Sequence, residues 1–180
     1  MEKKYIYIKN FLNLDELEIA NNYSILKHKN NITEFDLLQT ELGESAFYSD
    51  TLMEYFLEKK IDLIEKHLHK KILPTVSFLR FYNKFSSLKK HVDRNACEIT
   101  VSCTLGADQD WPLIIEGEKI IIKPGDAVLY YGAKKTHWRE EYLGDYQSQV
   151  FFHYVEKEGK FKEEKFDKRD SIGLPPQKYV

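Results

Sequence analysis

The sequence predicts an α+β protein, an antiparallel sandwich or jelly roll with helices on one face. Three observations predict it. In the first seventy or so residues the clearest apolar stripe recurs at helical spacing. From Thr75 onward, apolar and polar residues alternate in short runs divided by turns that contain Gly and Pro. The 180 residues also include 12 Tyr, 11 Phe and 2 Trp, side chains suited to a pleated, half-buried surface.

Each element follows from its residues. Residues 3–9, KKYIYIK, alternate as a short strand. Asn13 is placed to cap the helix that follows, and Glu16 three positions later completes a capping-box spacing. Residues 28–48 are polar and mixed, punctuated by Gly43, and are expected to be loop with at most one helical turn. A long helix is expected from Ser49 to His69, capped by Ser49 or Asp50. Met53, Leu57, Ile61, Ile64 and Leu68 form its core-facing stripe. Pro74 bars any continuation. TVSFLRFY, CEITVSCTL, PLIIE, KIIIK, AVLYY and SQVFFHYV then read as strands, with turns at Gly117 and at Pro124-Gly125. The remaining tail is charged and then Pro-rich, and is expected to wrap the surface or fray.

The length suits a single domain over 1–180, read as helical support over 1–74, barrel core over 75–155 and a charged tail over 156–180. A net charge of -2 gives no support for a nucleic-acid or membrane-surface role. No apolar run approaches a membrane span and the first ten residues lack the apolar core of a signal peptide, so the expected location is cytoplasmic. Without export, the sequon at Asn31-Ile32-Thr33 carries no meaning. Cys97 and Cys103 are too few for a disulfide framework or a structural zinc site and read as small buried thiols on one strand face.

The chemistry-bearing residues are His91, Asp93 and His137. In extended backbone, residues two apart point the same way, so His91 and Asp93 can grip one ion, with His137 arriving from a neighbouring strand end. Two imidazoles and a carboxylate make the facial set that holds iron(II) and leaves other positions open. A lone H-x-D is a weak signal. The informative feature is the order: strand, H-x-D, several strands, a P-G-D turn, a strand, then a histidine opening another.

Arg80, Tyr82, Leu88, His91 and Asp93 match the pattern R-x-Y-x-x-G-x-x-L-x-x-H-x-D, with Phe85 in place of the glycine. In this, and through WPLIIEGEKIIIKPGDAVLYY to HWRE, the chain resembles the prolyl-4-hydroxylase-like branch of the iron(II)/2-oxoglutarate oxygenases. The resemblance covers roughly the last hundred residues, and the N-terminal part in arrangement only. It implies a double-stranded β-helix, a cupin-like barrel with the N-terminal helices packed on one sheet. It also implies Fe(II), 2-oxoglutarate and O2 as cofactor and co-substrates, and hydroxylation of a C–H bond with release of succinate and CO2.

Family members anchor the far carboxylate of 2-oxoglutarate with Arg or Lys about nine or ten residues after the distal histidine, because a buried carboxylate needs a charged partner. Here those positions are Tyr146 and Gln147, and no Lys or Arg occurs between Arg139 and Lys157. If His137 points inward so does Arg139, about 7 Å deeper at the usual strand rise. Arg139 is therefore the expected anchor, with a hydrogen bond from Tyr82, and Arg80 is the runner-up. His67 and His69 lie about 200° apart round a helix and cannot share a metal. His153 is expected in the last strand, half-buried, and Trp138 is expected to point away from His137 and pack. Lys89, Lys90, Arg94, Lys134 and Lys135 read as a solvated rim, or alternatively as a positive mouth for an anionic ligand. Residues 94–98 adjoin the site as candidate substrate contacts. The rival reading is a cupin-like barrel that is non-catalytic or independent of a keto acid and binds a ligand or partner. The substrate, whether an amino-acid-like, peptidyl or small molecule, is not legible here.

Overall fold

The computed structural model describes residues 4–30 and 44–174. Helix α1, Leu14–Lys29, starts where the capping signal predicts: the Asn13 side chain accepts from the Glu16 N–H at 2.9 Å, and Glu16 accepts from the Asn13 N–H at 3.0 Å. The long helix expected over 49–69 is two, α2 (Thr51–Lys59) and α3 (Ile61–Leu68), which meet at Lys60. Asp50 is the cap, accepting from the N–H groups of Leu52 and Met53. The break keeps the stripe in use: Met53, Leu57 and Ile64 are fully buried, with Ile61 and Leu68 packed beside them. It also brings the Lys60 ammonium to Glu16 of α1 at 2.6 Å.

Among the described residues, ten strands follow the expected runs and add to them. They are β1 (Ile6–Ile8), β2 (Ser45–Tyr48), β3 (Ile72–Tyr82), β4 (Leu88–His91), β5 (Ile99–Ala107), β6 (Leu113–Ile115), β7 (Glu118–Ile120), β8 (Ala127–Tyr130), β9 (His137–Arg139) and β10 (Gln147–Glu156). They form two antiparallel sheets, ordered β1-β8-β5-β10-β3-β2 and β4-β9-β6-β7. This is a double-stranded β-helix, as the resemblance implies, with the helices on the outer face of the larger sheet. The segment expected as loop over 28–48 in part closes α1 and in part forms β2, which pairs with β3. Gly43 and the sequon at Asn31 lie outside the described residues. The stretch 1–74, expected as helical support, also supplies β1, β2 and the start of β3 to the larger sheet. Cys103 sits in β5, but Cys97 belongs to the 3-10 turn before it, so the two do not share a strand.

Two irregularities position the site. Pro74 lies inside β3, opposite Tyr154, where a register shift leaves Thr75 unopposed; a bulge is where a strand tolerates a residue with no N–H. Phe85, at the motif's glycine position, has φ of 72°, the left-handed conformation that favours glycine, and its exposed ring is held there as its N–H donates to Tyr142 O at 2.8 Å. The turn into β4 thus holds a phenylalanine in a conformation that glycine adopts more readily. Past β10 the chain wraps back, as one of the two expectations for the tail had it. Arg169 is buried against Glu54 of α2 at 2.5 Å and donates to Thr75 O at 2.9 Å.

Candidate metal centre and its anionic pocket

His91 ends β4 and His137 begins β9, and the two face each other as cross-strand partners, their ring centroids 4.3 Å apart. Each ring is oriented in the same way, with Nδ1 against the carbonyl two residues earlier: Lys89 O at 2.7 Å for His91, Lys135 O at 2.9 Å for His137. Since a carbonyl only accepts, Nδ1 carries the proton in both rings and Nε2 keeps its lone pair. Both Nε2 atoms lie 3.5 Å from the same oxygen, Asp93 Oδ1. One ligand atom from each of the three falls within a 4.8 Å cluster, the only such cluster found among the described residues. Asp93 is set by its own N–H donating to Gly132 O at 2.9 Å. Burial works against its charge, but His137 and His91 outweigh it, because each ring when protonated gains an Nε2–H that donates to the carboxylate, and they hold the carboxyl well below the usual range. The same hydrogen bond to Asp93 raises His91, burial opposing it. Two bare imidazole nitrogens converging on an ionised carboxylate fit a divalent metal.

The two candidate arginines separate clearly. Arg80, in β3, pairs with Glu44 at 2.5 Å and its charge is answered. Arg139, in β9, is 2 % exposed and has no carboxylate partner among the described residues. It donates to Trp111 O and, at 3.5 Å, to Gln149 Oε1, while its Nε has no hydrogen-bond partner among the described residues. Burial drops its pKa to about 10, which leaves it charged at neutral pH. An uncompensated guanidinium in a dry site is costly, and an arriving carboxylate removes that cost. Tyr82 is fully buried between the charges of both arginines. Tyr130, which the sequence did not single out, is equally buried, and its hydroxyl has no partner among the described residues. Its ring stands edge-on to His137 at 4.9 Å. An alternating Tyr in a strand carries no signal of such a role. Where the family's cation would stand, β10 offers Gln147 and Gln149 in a network with Ser102 and Thr104.

Two cavities meet at this centre. One, of about 80 Å³, is bounded by Arg80, Tyr82, Tyr130, His91, Asp93 and His137. The other, of about 310 Å³, is lined by Tyr48, Val76, Phe78, Val92, Arg94 and Cys97, so two of residues 94–98 do adjoin it. His91, Asp93 and His153 border both. His153 is buried, and burial lowers its pKa to about 4. Trp138 packs on the outside as expected, with the Lys90 ammonium 4.8 Å from its ring centre.

No family model and no curated protein matches the sequence. Solved structures do. A Pseudomonas putida prolyl-4-hydroxylase superposes with a TM-score of 0.66 at 12% identity, covering 84% of this chain and 92% of that one. The fold is that of the 2-oxoglutarate/iron(II) oxygenases. SnoK, an alpha-ketoglutarate-dependent carbocyclase from nogalamycin biosynthesis, gives 0.70 at 11% identity, with 86% and 80% covered. EctD from S. alaskensis, in a structure with 2-oxoglutarate and 5-hydroxyectoine, gives 0.67 at 12%, with 85% and 72% covered. Among the described residues no helix is long and apolar enough to cross a membrane.

Proposed function

We propose that the protein is a single-domain, cytoplasmic, non-haem iron(II)- and 2-oxoglutarate-dependent dioxygenase. It hydroxylates a C–H bond of an amino-acid-like, peptidyl or small-molecule substrate and releases succinate and CO2. The observation that carries this reading is the pairing of two features in one barrel: three ligand atoms within 4.8 Å and, two residues past His137 in β9, a buried arginine that lacks an anion among the described residues. The structural neighbours support it, since EctD has been seen with 2-oxoglutarate and SnoN with Fe3+ and alpha-ketoglutarate.

In this reading His91 Nε2, His137 Nε2 and Asp93 Oδ1 hold the iron. When bound, the metal lets O2 react with the keto acid, one oxygen atom ending in succinate and the other in the hydroxylated product. Arg139 neutralises the far carboxylate, and the Tyr82 and Tyr130 hydroxyls donate to it, so the co-substrate is oriented by groups already placed and dry. The Lys89 and Lys135 carbonyls keep both imidazoles in the ligating tautomer. Phe78 and Val76 line the approach and keep water from the reacting carbon.

The test is anaerobic titration of metal-free protein with iron(II) and then 2-oxoglutarate, following the visible charge-transfer band of the chelate. A band in the wild type, lost in His91→Ala, is expected. Iron binding without a band would favour the keto-acid-independent cupin-like barrel, and absence of iron binding would make the barrel a non-catalytic binding module.

A further inference from the structure

Beyond the ligands, a short chain of hydrogen bonds runs from Asp93 to His153. Thr100 Oγ1 donates to Asp93 Oδ2 at 2.7 Å and lies 3.2 Å from His153 Nδ1. A threonine hydroxyl has one proton, and the carboxylate, which only accepts, takes it. The His153 contact therefore has Nδ1–H as donor and the threonine oxygen as acceptor. In a neutral ring that leaves Nε2 bare. Gly132 closes the arrangement, since a Cβ there would come within 2.0 Å of Asp93 Oδ2 and 2.4 Å of Thr100 Oγ1.

Nε2 of His153 has no hydrogen-bond partner among the described residues, and its ring borders both cavities next to the metal-binding side chains. Around it the outer cavity is apolar and aromatic: Val76, Val92, Cys97, and the rings of Tyr48 and Phe78, packed edge-on at 6.3 Å. The one Lys or Arg among the described residues that line that cavity, Arg94, is already engaged. Arg94 holds Asp167 through two contacts of 2.5 and 2.7 Å, and Tyr48 Oη at 2.9 Å.

We propose that His153 is a substrate-binding residue whose Nε2 accepts a hydrogen bond from an N–H or O–H group adjoining the carbon to be oxidised, and that the substrate group entering this cavity is neutral and flanked by apolar or aromatic surface. Thr100 is the positioning residue: it sets the His153 tautomer through Asp93. A buried acceptor of this kind discriminates by leaving itself unpaired against an analogue without the donor. The inference concerns the substrate of the proposed oxygenase and so rests on that reading.

The experiment uses full-length protein labelled with 15N at histidine and loaded with zinc and 2-oxoglutarate. Two-bond 15N–1H spectra report the tautomer of each ring. The probes are N-methylbenzamide, which has one N–H, and N,N-dimethylbenzamide, which has none. His153 is expected as the Nδ1–H tautomer, its Nε2 signal shifting with the first amide and not the second. In Thr100→Val the tautomers mix and the shift is lost, and Thr100→Ser restores both. An Nε2–H tautomer in the wild type, equal responses to the two amides, or no response to either overturns the proposal. Zinc-induced changes at His91 and His137 are read in the same spectra. If these fail to appear, the metal-centre reading falls, while the tautomer and amide responses of His153, followed in the metal-free protein, still decide this one.

Discussion

The larger sheet has two buried faces built from alternate residues of the same strands. Toward the helices, β5 and β10 present Val101, Cys103, Leu105, Val150, Phe152 and Tyr154, all in one apolar cluster with Met53, Leu57 and Ile64. Toward the barrel interior the intervening residues are Phe151 and a polar majority, Thr100, Ser102, Thr104, Gln147, Gln149 and His153, nearly as buried. One face holds the protein together by removing apolar surface from water. The other keeps buried polar groups and faces, from β9 of the smaller sheet, the buried Arg139 that lacks a counter-charge among the described residues, at a cost in stability that only a ligand repays. The difference shows that burial alone does not identify a core. The informative residues are those buried with hydrogen-bonding capacity left over.

Five substitutions break or sharpen this contrast. Phe152→Ala on the helix side is expected to lose about 3–5 kcal/mol in urea denaturation, with the iron affinity of the folded protein unchanged. On the interior side, Asp93→Ala is expected to weaken iron(II) binding by more than about 100-fold in a chelator competition, because even groups that merely orient ligands are worth about 10–100-fold. Arg139→Met should weaken 2-oxoglutarate at least about 30-fold, equivalent to about 2 kcal/mol. It should also raise the melting temperature of the ligand-free protein, since it deletes an uncompensated buried charge. Arg80→Met, which strands Glu44, should lower that temperature instead; equal effects from the two arginines would erase the distinction between them. The smallest effect lies outside the barrel, at Glu16. Burial there opposes ionisation, but hydrogen bonds from Lys60 and Lys59 win and hold its pKa at about 2, against an ordinary 4.5. With the folded value depressed, this contribution is complete above pH 4.5 and is lost as pH falls toward 2. Glu16→Gln should therefore flatten the acid limb of a stability-against-pH curve and leave neutral-pH iron binding alone.

Much of the candidate site was legible because its signals are local. H-x-D uses the two-residue strand repeat, the capping box at Asn13 uses a three-residue reach, and the placement of Arg139 two residues past His137 follows from strand alternation. What distinguished Arg139 from Arg80 was not local. Glu44, which answers Arg80, lies 36 residues away, immediately before β2, in a stretch expected to be loop. The break at Lys60 was equally hidden, since the apolar stripe runs through it without interruption and Lys60 is an ordinary helix former.

By itself, then, the sequence determined the α+β order of elements, the identity of the three ligand candidates and the lack of a cation in the last strand, because each depends on residue type and short spacing. Only the tertiary structure decided which arginine has no anion among the described residues, that the buried Tyr130 hydroxyl has no partner among them, and that Thr100 joins Asp93 to His153. Those are matters of who meets whom across strands 7 to 53 residues apart, and a hydrogen bond has no sequence pattern until the barrel closes around it.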